Sequence, residues 1–262
     1  MLQAILFGVL QGLTEFFPVS SSGHLVLFKH AVPGMEKWGE SIEFEVAVHL
    51  GTTIAVLAVF WRDALAICKD CWDFARARLT RSATEPSPTG QSAGLTMGLA
   101  IVIGTVPTGI IALLFKDQFE RMFSSVGLVG VALAVTGTLL WATRWFDRAN
   151  AARRPLSPLR AFIVGVAQGI AITPGISRSG STISTGFFLR LDRETAGRFS
   201  FLLSVPAVLG ACALKLRHGF SMEAGQMHEL IAGTLAAAVV GYLCLRLLMP
   251  LIKRGRFYYF AY

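Results

Sequence analysis

Two long apolar blocks of this 262-residue chain are broken at their centres, and that interruption limits the possible folds more than any other feature. Residues 2–28 are interrupted by FPVSSSGH (17–24), and residues 160–189 by TPGISRSGST (173–182). Proline, glycine and hydroxyl side chains at mid-block make poor continuous helices. Irregular backbone at membrane depth is tolerated only where protein or a water-filled cavity surrounds it. Both blocks are therefore expected to form re-entrant helix-loop-helix hairpins.

The membrane follows from composition. Charged residues make up 15% of the chain and hydrophobic ones 53%, whereas a soluble domain carries about 25% charged residues. Five further blocks, near 44–61, 94–115, 125–143, 199–216 and 229–249, are long enough to span a bilayer. The expected fold class is an all-α polytopic membrane protein, a single membrane domain over 1–262. The polar stretch 80–94 reads as a loop. A net charge of +8 does not point to nucleic acid, because Lys and Arg lie between apolar blocks rather than on one polar face. No Lys or Arg precedes Lys29, and Glu15 sits inside the first apolar stretch, which makes a poor signal peptide. Cys68 and Cys71 form a lone C-x-x-C without a second pair to complete a zinc site.

The two broken blocks resemble each other. Gly8-Val9-x-Gln11-Gly12 matches Gly165-Val166-x-Gln168-Gly169, an offset of 157 (165 minus 8), and Gly23 falls on Gly180 at the same offset. Three full spans between the copies would turn the second upside down, the inverted-topology repeat of many transporters. The first repeat is expected over 1–145 with its hairpin at 2–28, and the second over 158–262 with its hairpin at 160–189. The second shows one span fewer, so either a last helix is missing or the duplication is imperfect. Loops around 62–93, 144–160, 190–198 and 246–256 hold 17 basic residues, and the opposite set holds six. The positive-inside rule makes the first set cytoplasmic, so the first hairpin opens outward and the second inward.

Arg178 is the one basic residue in neither set. An arginine in a membrane hairpin pairs with an anion, either a substrate phosphate or a buried acid such as Glu15. Ser177 and Ser179 flank it, and Thr182 follows one turn later. In the first hairpin Gln11 and Glu15 share a helix face, and Pro18 ends that helix. Ser20 or Ser21 then caps the next helix, whose free amides suit an anion. His24, one turn after Ser20 and Ser21, could accept a proton from either. His49 reads as a packed or interfacial residue. His30, His218 and His228 fall in loops, and Glu36, Glu40, Glu43 and Glu45 form an acidic outer face. The run Phe257-Tyr258-Tyr259-Phe260 reads as an interfacial aromatic belt.

QGLTEFFPVSSSGH (11–24) and PGISRSGST (174–182) together resemble the two signatures of the undecaprenyl-diphosphate phosphatases, the bacitracin-resistance family. The resemblance implies hydrolysis of undecaprenyl diphosphate to undecaprenyl phosphate and inorganic phosphate, recycling the cell-wall lipid carrier. It assigns catalytic roles to Glu15, Ser21, His24 and Arg178, and substrate binding to Gln11, Ser20, Ser22, Ser177, Ser179 and Thr182. It also implies a divalent cation, Mg2+ or Ca2+, with Glu15 the candidate metal ligand. Gln11 stands where many members have Glu, so that position cannot carry charge here. A lipid diphosphate is the expected partner, with a homodimer as an open possibility. The expected location is the bacterial plasma (inner) membrane, with the site opening to the outer, periplasmic face. Ser21 is the candidate nucleophile, and a water activated by Glu15 and His24 is the rival. An inverted-repeat transporter or lipid flippase is the alternative class.

Overall fold

The computed structural model describes residues 1–31, 42–80, 92–146, 153–217 and 227–262. The described residues are overwhelmingly helical and contain no strand beyond one isolated bridge between Arg154 and Leu191. The chain runs α1 (Leu2–Phe16), α2 (Ser21–Ala31), α3 (Ile42–Val59), α4 (Trp61–Thr80), α5 (Ala93–Leu114) and α6 (Lys116–Phe123). It continues α7 (Val126–Phe146), α8 (Pro158–Ile170), α9 (Arg178–Phe188), α10 (Arg193–Leu216) and α11 (Met227–Lys253), and closes in a 3-10 turn, Phe257–Ala261. His30, Glu36, Glu40 and His218 have side chains outside the described set, as does most of the 80–94 stretch.

Four helices, α5, α7, α10 and α11, are long and apolar enough to cross a membrane. The fifth expected span is α3, which passes at Phe60 into α4 with a bend of 81°. The stretch after residue 61, expected as a loop, is instead an amphipathic helix. Its Arg, Lys and Asp residues lower its mean hydropathy, while Trp61, Leu65 and Trp72 form an exposed stripe at i, i+4, i+11. Arg193 and Arg198, also expected in a loop, lie in the first turns of α10, where Asp192 caps the helix by accepting from the Thr195 amide at 3.1 Å.

Ion pairs mark the two ends of the helix bundle. At one end the N-terminal ammonium meets Glu229, and Lys215 Nζ lies 2.6 Å from Glu45. At the other, Arg198 bridges Asp63 (3.3 Å) and Glu194, and Lys253 Nζ reaches Glu194 Oε2 at 2.9 Å. The basic stretches 62–78, 190–198 and 246–254 thus share one end.

The paired glycines set the helix spacing. A Cβ on Gly8 of α1 would lie 2.2 Å from the Gly233 carbonyl oxygen of α11, and one on Gly165 of α8 would lie 2.1 Å from that of Gly104 in α5. Such close approach of backbones is the usual use of small residues between membrane helices. The main core lies beneath the breaks, built from Phe16, Phe60, Phe187, Phe201, Leu248 and Phe257. Phe257 is 1% exposed, with its ring 5.7 Å from that of Phe187. The expected aromatic belt is therefore split: Phe257 belongs to the core, while Tyr259 faces outward.

Candidate active site

The two breaks are built alike. Phe17 precedes a proline and is extended (φ −61°, ψ 140°), as the ring of Pro18 demands, so α1 ends there. Ser20 then adopts φ +67°, a left-handed conformation rare outside glycine, and its Oγ accepts the Gly23 amide at 3.3 Å. In the second break the left-handed turn falls two residues earlier, at Gly175 (φ +93°), whereas Ser177, the match of Ser20, is extended (φ −73°), and its Oγ accepts the Gly180 amide at 3.0 Å. Ser20 pairs with Ser22, and Ser177 with Ser179, in each case at 3.3 Å between hydroxyls. Each pair of capping residues is separated by the same 157 positions (177 minus 20) as the sequence match. Ser20, rather than Ser21, is the cap.

The breaks touch. A Cβ on Gly23 would lie 3.0 Å from the Gly175 Cα, and one on Gly180 would lie 3.3 Å from Pro18 Cβ. Thr136 of α7 secures the second break. Its hydroxyl donates to the Gly175 carbonyl at 2.9 Å and accepts from the Ser177 amide at 3.0 Å.

At this junction Glu15, 8% exposed, receives three donors. Arg178 donates to its Oε1. Ser21 Oγ donates to its Oε2 at 2.7 Å, and Gln11 Nε2 donates to the same oxygen at 2.9 Å. A fully buried carboxylate is costly unless paired and hydrogen-bonded in this way. His49, which the sequence placed in packing, belongs to this cluster: its Nε2 lies 3.5 Å from Gln11 Nε2. Its Nδ1 donates to the Glu45 carbonyl at 2.9 Å, and in that tautomer the ring presents Nε2 as an acceptor toward Gln11. Gln11 Oε1, in a residue with no exposed surface, has no hydrogen-bond partner among the described residues.

The remaining candidates stand around this cluster. His24 is one turn into α2, its Nδ1 donating to the Ser20 carbonyl at 2.9 Å, and no contact joins it to Ser21 among the described residues. Ser20, Ser22, Ser177 and Ser179 line the helix starts as caps and cap partners. Thr182 is 1% exposed and faces away from Glu15: its hydroxyl donates to the Arg178 carbonyl at 2.8 Å and pairs with Ser200 of α10. It steadies the backbone behind Arg178. Sequence reasoning missed His49, Thr136 and Ser200 as parts of this assembly. Only His49 carried a signal, as an imidazole near the start of an apolar span.

A carboxylate, a hydroxyl and a guanidinium meeting where two helix breaks touch, in an all-helical, multi-pass membrane protein, define the class of polytopic proteins with a buried polar cluster. Within that class the chain belongs to the bacitracin resistance protein BacA family, whose model matches residues 4–262. It is 45% identical over 260 residues to a protein of Desulfosudis oleivorans named undecaprenyl-diphosphatase, covering 99% of this chain and 93% of that one. Proteins of the same name from Desulforapulum autotrophicum and Alkaliphilus metalliredigens are 41% and 40% identical, each over 99% of this chain and 92% and 93% of their own.

Proposed function

We propose that this chain is an undecaprenyl-diphosphate phosphatase acting at the junction of the two breaks. The observation that carries the reading is the Ser21 hydroxyl donating to Glu15 beside Arg178. Membership of the family and relatives of that name support the substrate. The polyprenyl tail stays in the bilayer, and the diphosphate enters between the helix starts.

Arg178 is neutralised by Glu15 in the resting site. A terminal phosphate carries more charge than one carboxylate and matches the guanidinium fork, so it displaces Glu15 as the partner of Arg178. Glu15 is thereby freed as a base. Ser21 Oγ forms a bond to the terminal phosphorus while its proton passes to Glu15 Oε2. The bond from that phosphorus to the bridging oxygen breaks, and the bridging oxygen keeps the electron pair and leaves as undecaprenyl phosphate. Amides at the starts of α2 and α9, together with Arg178, stabilise the charge on the transferring group. Water then attacks the phosphoserine, the proton on Glu15 returns to Ser21, and inorganic phosphate departs. The Nε2 of His24 remains to orient that water, the role the geometry leaves it once Glu15 holds the Ser21 proton. The rival path has water, activated by Glu15 and His24, attack phosphorus directly.

The resemblance implies a divalent cation with Glu15 as its ligand, and the resting geometry does not fit one. Gln11 turns its Nε2, not its oxygen, toward both Glu15 and His49, and Glu15 already accepts from Gln11, Ser21 and Arg178. Among the described residues no three His, Cys, Asp or Glu side chains gather around a metal position. The matching breaks and matching glycine crossings favour an inverted repeat with the two hairpins re-entrant, the first over 1–145 and the second over 158–262. The excess of Lys and Arg at the end bearing Asp63 and Lys253 supports a reading with that end on the cytoplasmic side of the plasma membrane and the site opening outward.

Phosphate release from undecaprenyl diphosphate by purified protein in detergent, with and without chelator, tests the activity. Release without a membrane gradient separates an enzyme from a transporter. No release from folded protein supplied with cation would overturn the reading.

A further inference from the structure

A cleft of about 350 Å³ opens at the basic end of the bundle, between the end of α3 and the last turns of α11. Val59, Leu245 and Met249 form its apolar side, and Arg246, Lys253 and Arg254 stand around it. The charges there do not cancel. Lys253 is held by Glu194, Glu194 also binds Arg198, and Arg198 reaches Asp63, which closes a balanced group of two acids and two bases. Arg246 and Arg254 lie outside it. Among the described residues no carboxylate pairs with either, and Arg246 rests only over the Tyr242 ring, 5.9 Å from its centroid.

The length of α11 fixes the depth of these two cations. Twenty-seven residues at 1.5 Å each extend about 40 Å, and the hydrocarbon layer is about 30 Å thick. The surplus at the basic end places Lys253 and Arg254 among headgroups. Arg246, two turns earlier, falls near the boundary with the acyl chains, and its guanidinium can reach outward along its stem. Leu243 and Leu247 beside it are more than half exposed. The α3–α4 corner adds Trp61 and Leu65, both exposed at the same end. An apolar wall below two uncompensated cations complements one kind of partner: a phosphate on a hydrocarbon tail.

We propose that this cleft binds an anionic phospholipid of the surrounding membrane, its phosphate held by Arg246 and Arg254 and an acyl chain lying along the exposed Leu243 and Leu247 beside them. Basic recesses between helices at the cytoplasmic surface suit acidic headgroups, because that leaflet is rich in anionic lipid. The site is separate from the phosphatase reading and does not depend on it.

The test uses delipidated, detergent-solubilised protein. Thermal unfolding is followed while phosphatidylglycerol, phosphatidylcholine or glycerol phosphate is titrated, and retained lipids are counted by native mass spectrometry. Phosphatidylglycerol should stabilise the wild type at lower concentration than phosphatidylcholine, and glycerol phosphate should not replace it. Arg246→Gln with Arg254→Gln should weaken the phosphatidylglycerol effect about thirty-fold, from the usual contribution of two surface cations. Arg121→Gln, which removes a charge from the opposite end, should leave it unchanged. If the double variant does not fold, each single variant should weaken it about five-fold. Equal stabilisation by the two lipids, an undiminished effect in the variants, or full replacement by glycerol phosphate would each overturn the proposal.

Discussion

Ser21 and Arg178 occupy the same station in their helices, the first residue after the capping serine of α2 and of α9, and both donate to Glu15. Their separation of 157 residues (178 minus 21) is the offset that relates the two broken blocks. One position of a repeated motif thus supplies the hydroxyl in the first copy and the cation in the second. A single carboxylate gathers them.

Arg178→Lys keeps the charge and loses the planar fork. Deleting an interaction that strengthens in the transition state costs about 10²–10³-fold in kcat. A loss of that size is expected in phosphate-release assays, with unchanged thermal unfolding. A fully active lysine variant would remove the arginine from phosphate recognition.

Ser21→Ala should lose at least 10²-fold if the hydroxyl is the nucleophile, again by comparison with single-group deletions at polar active sites. Acid quenching of wild type during turnover should trap phosphate on a peptide containing residue 21. Near-normal turnover in the alanine variant would leave attack by water as the mechanism.

Gln11→Glu would set two carboxylates in contact where an amide now donates to Glu15 at 2.9 Å. Like charges that close cannot both ionise without a neutralising cation. The variant should therefore keep substantial activity only with divalent cation, and half-saturate at lower cation concentration than wild type. Glu15→Gln should be severely impaired at every cation concentration. Equal tolerance of the two substitutions would take Glu15 out of the chemistry.

His49→Phe removes the acceptor facing Gln11 and should lower kcat about ten-fold, roughly the worth of one buried hydrogen bond. His49→Gln, which can still accept through its amide oxygen, should recover most of that loss. Equal activity in both variants would reduce His49 to a packing residue.

Gly165→Ala should destabilise the fold, because its Cβ would lie 2.1 Å from the Gly104 carbonyl oxygen and the helices would have to separate. Overpacking of this kind costs about 1–3 kcal/mol. Gly130→Ala meets nothing within 4 Å and should be neutral or slightly stabilising. Thermal unfolding in detergent compares them, and similar midpoints would mean that the α5–α8 crossing has slack.

The breaks were legible in the sequence because their causes are local: Pro18 fixes the backbone before it, Ser20 and Ser177 cap, and Gly175 turns. Apolar runs likewise gave the spans. Helix α4 was missed because hydropathy averages over a stripe, so Arg62, Lys69 and Asp70 masked the apolar face of Trp61, Leu65 and Trp72. His49 lies 38 residues from Gln11, and no spacing rule reaches that far. The pairing of Ser21 with His24 rested on one-turn spacing. At a helix start, however, the Ser20 carbonyl takes the imidazole proton first, and the Ser21 hydroxyl turns to Glu15. Phe257 looked interfacial beside its tyrosines, yet its ring packs on Phe187, and Phe260 one turn later packs on Phe17.

The contact of the two breaks, Gly23 against Gly175 and Pro18 against Gly180, also bears on heredity. Each break is the other's wall, so neither half of the gene encodes a finished catalyst. Residues 1–146 and 153–262 made as separate polypeptides should each be inert, and should regain phosphate release only when co-expressed.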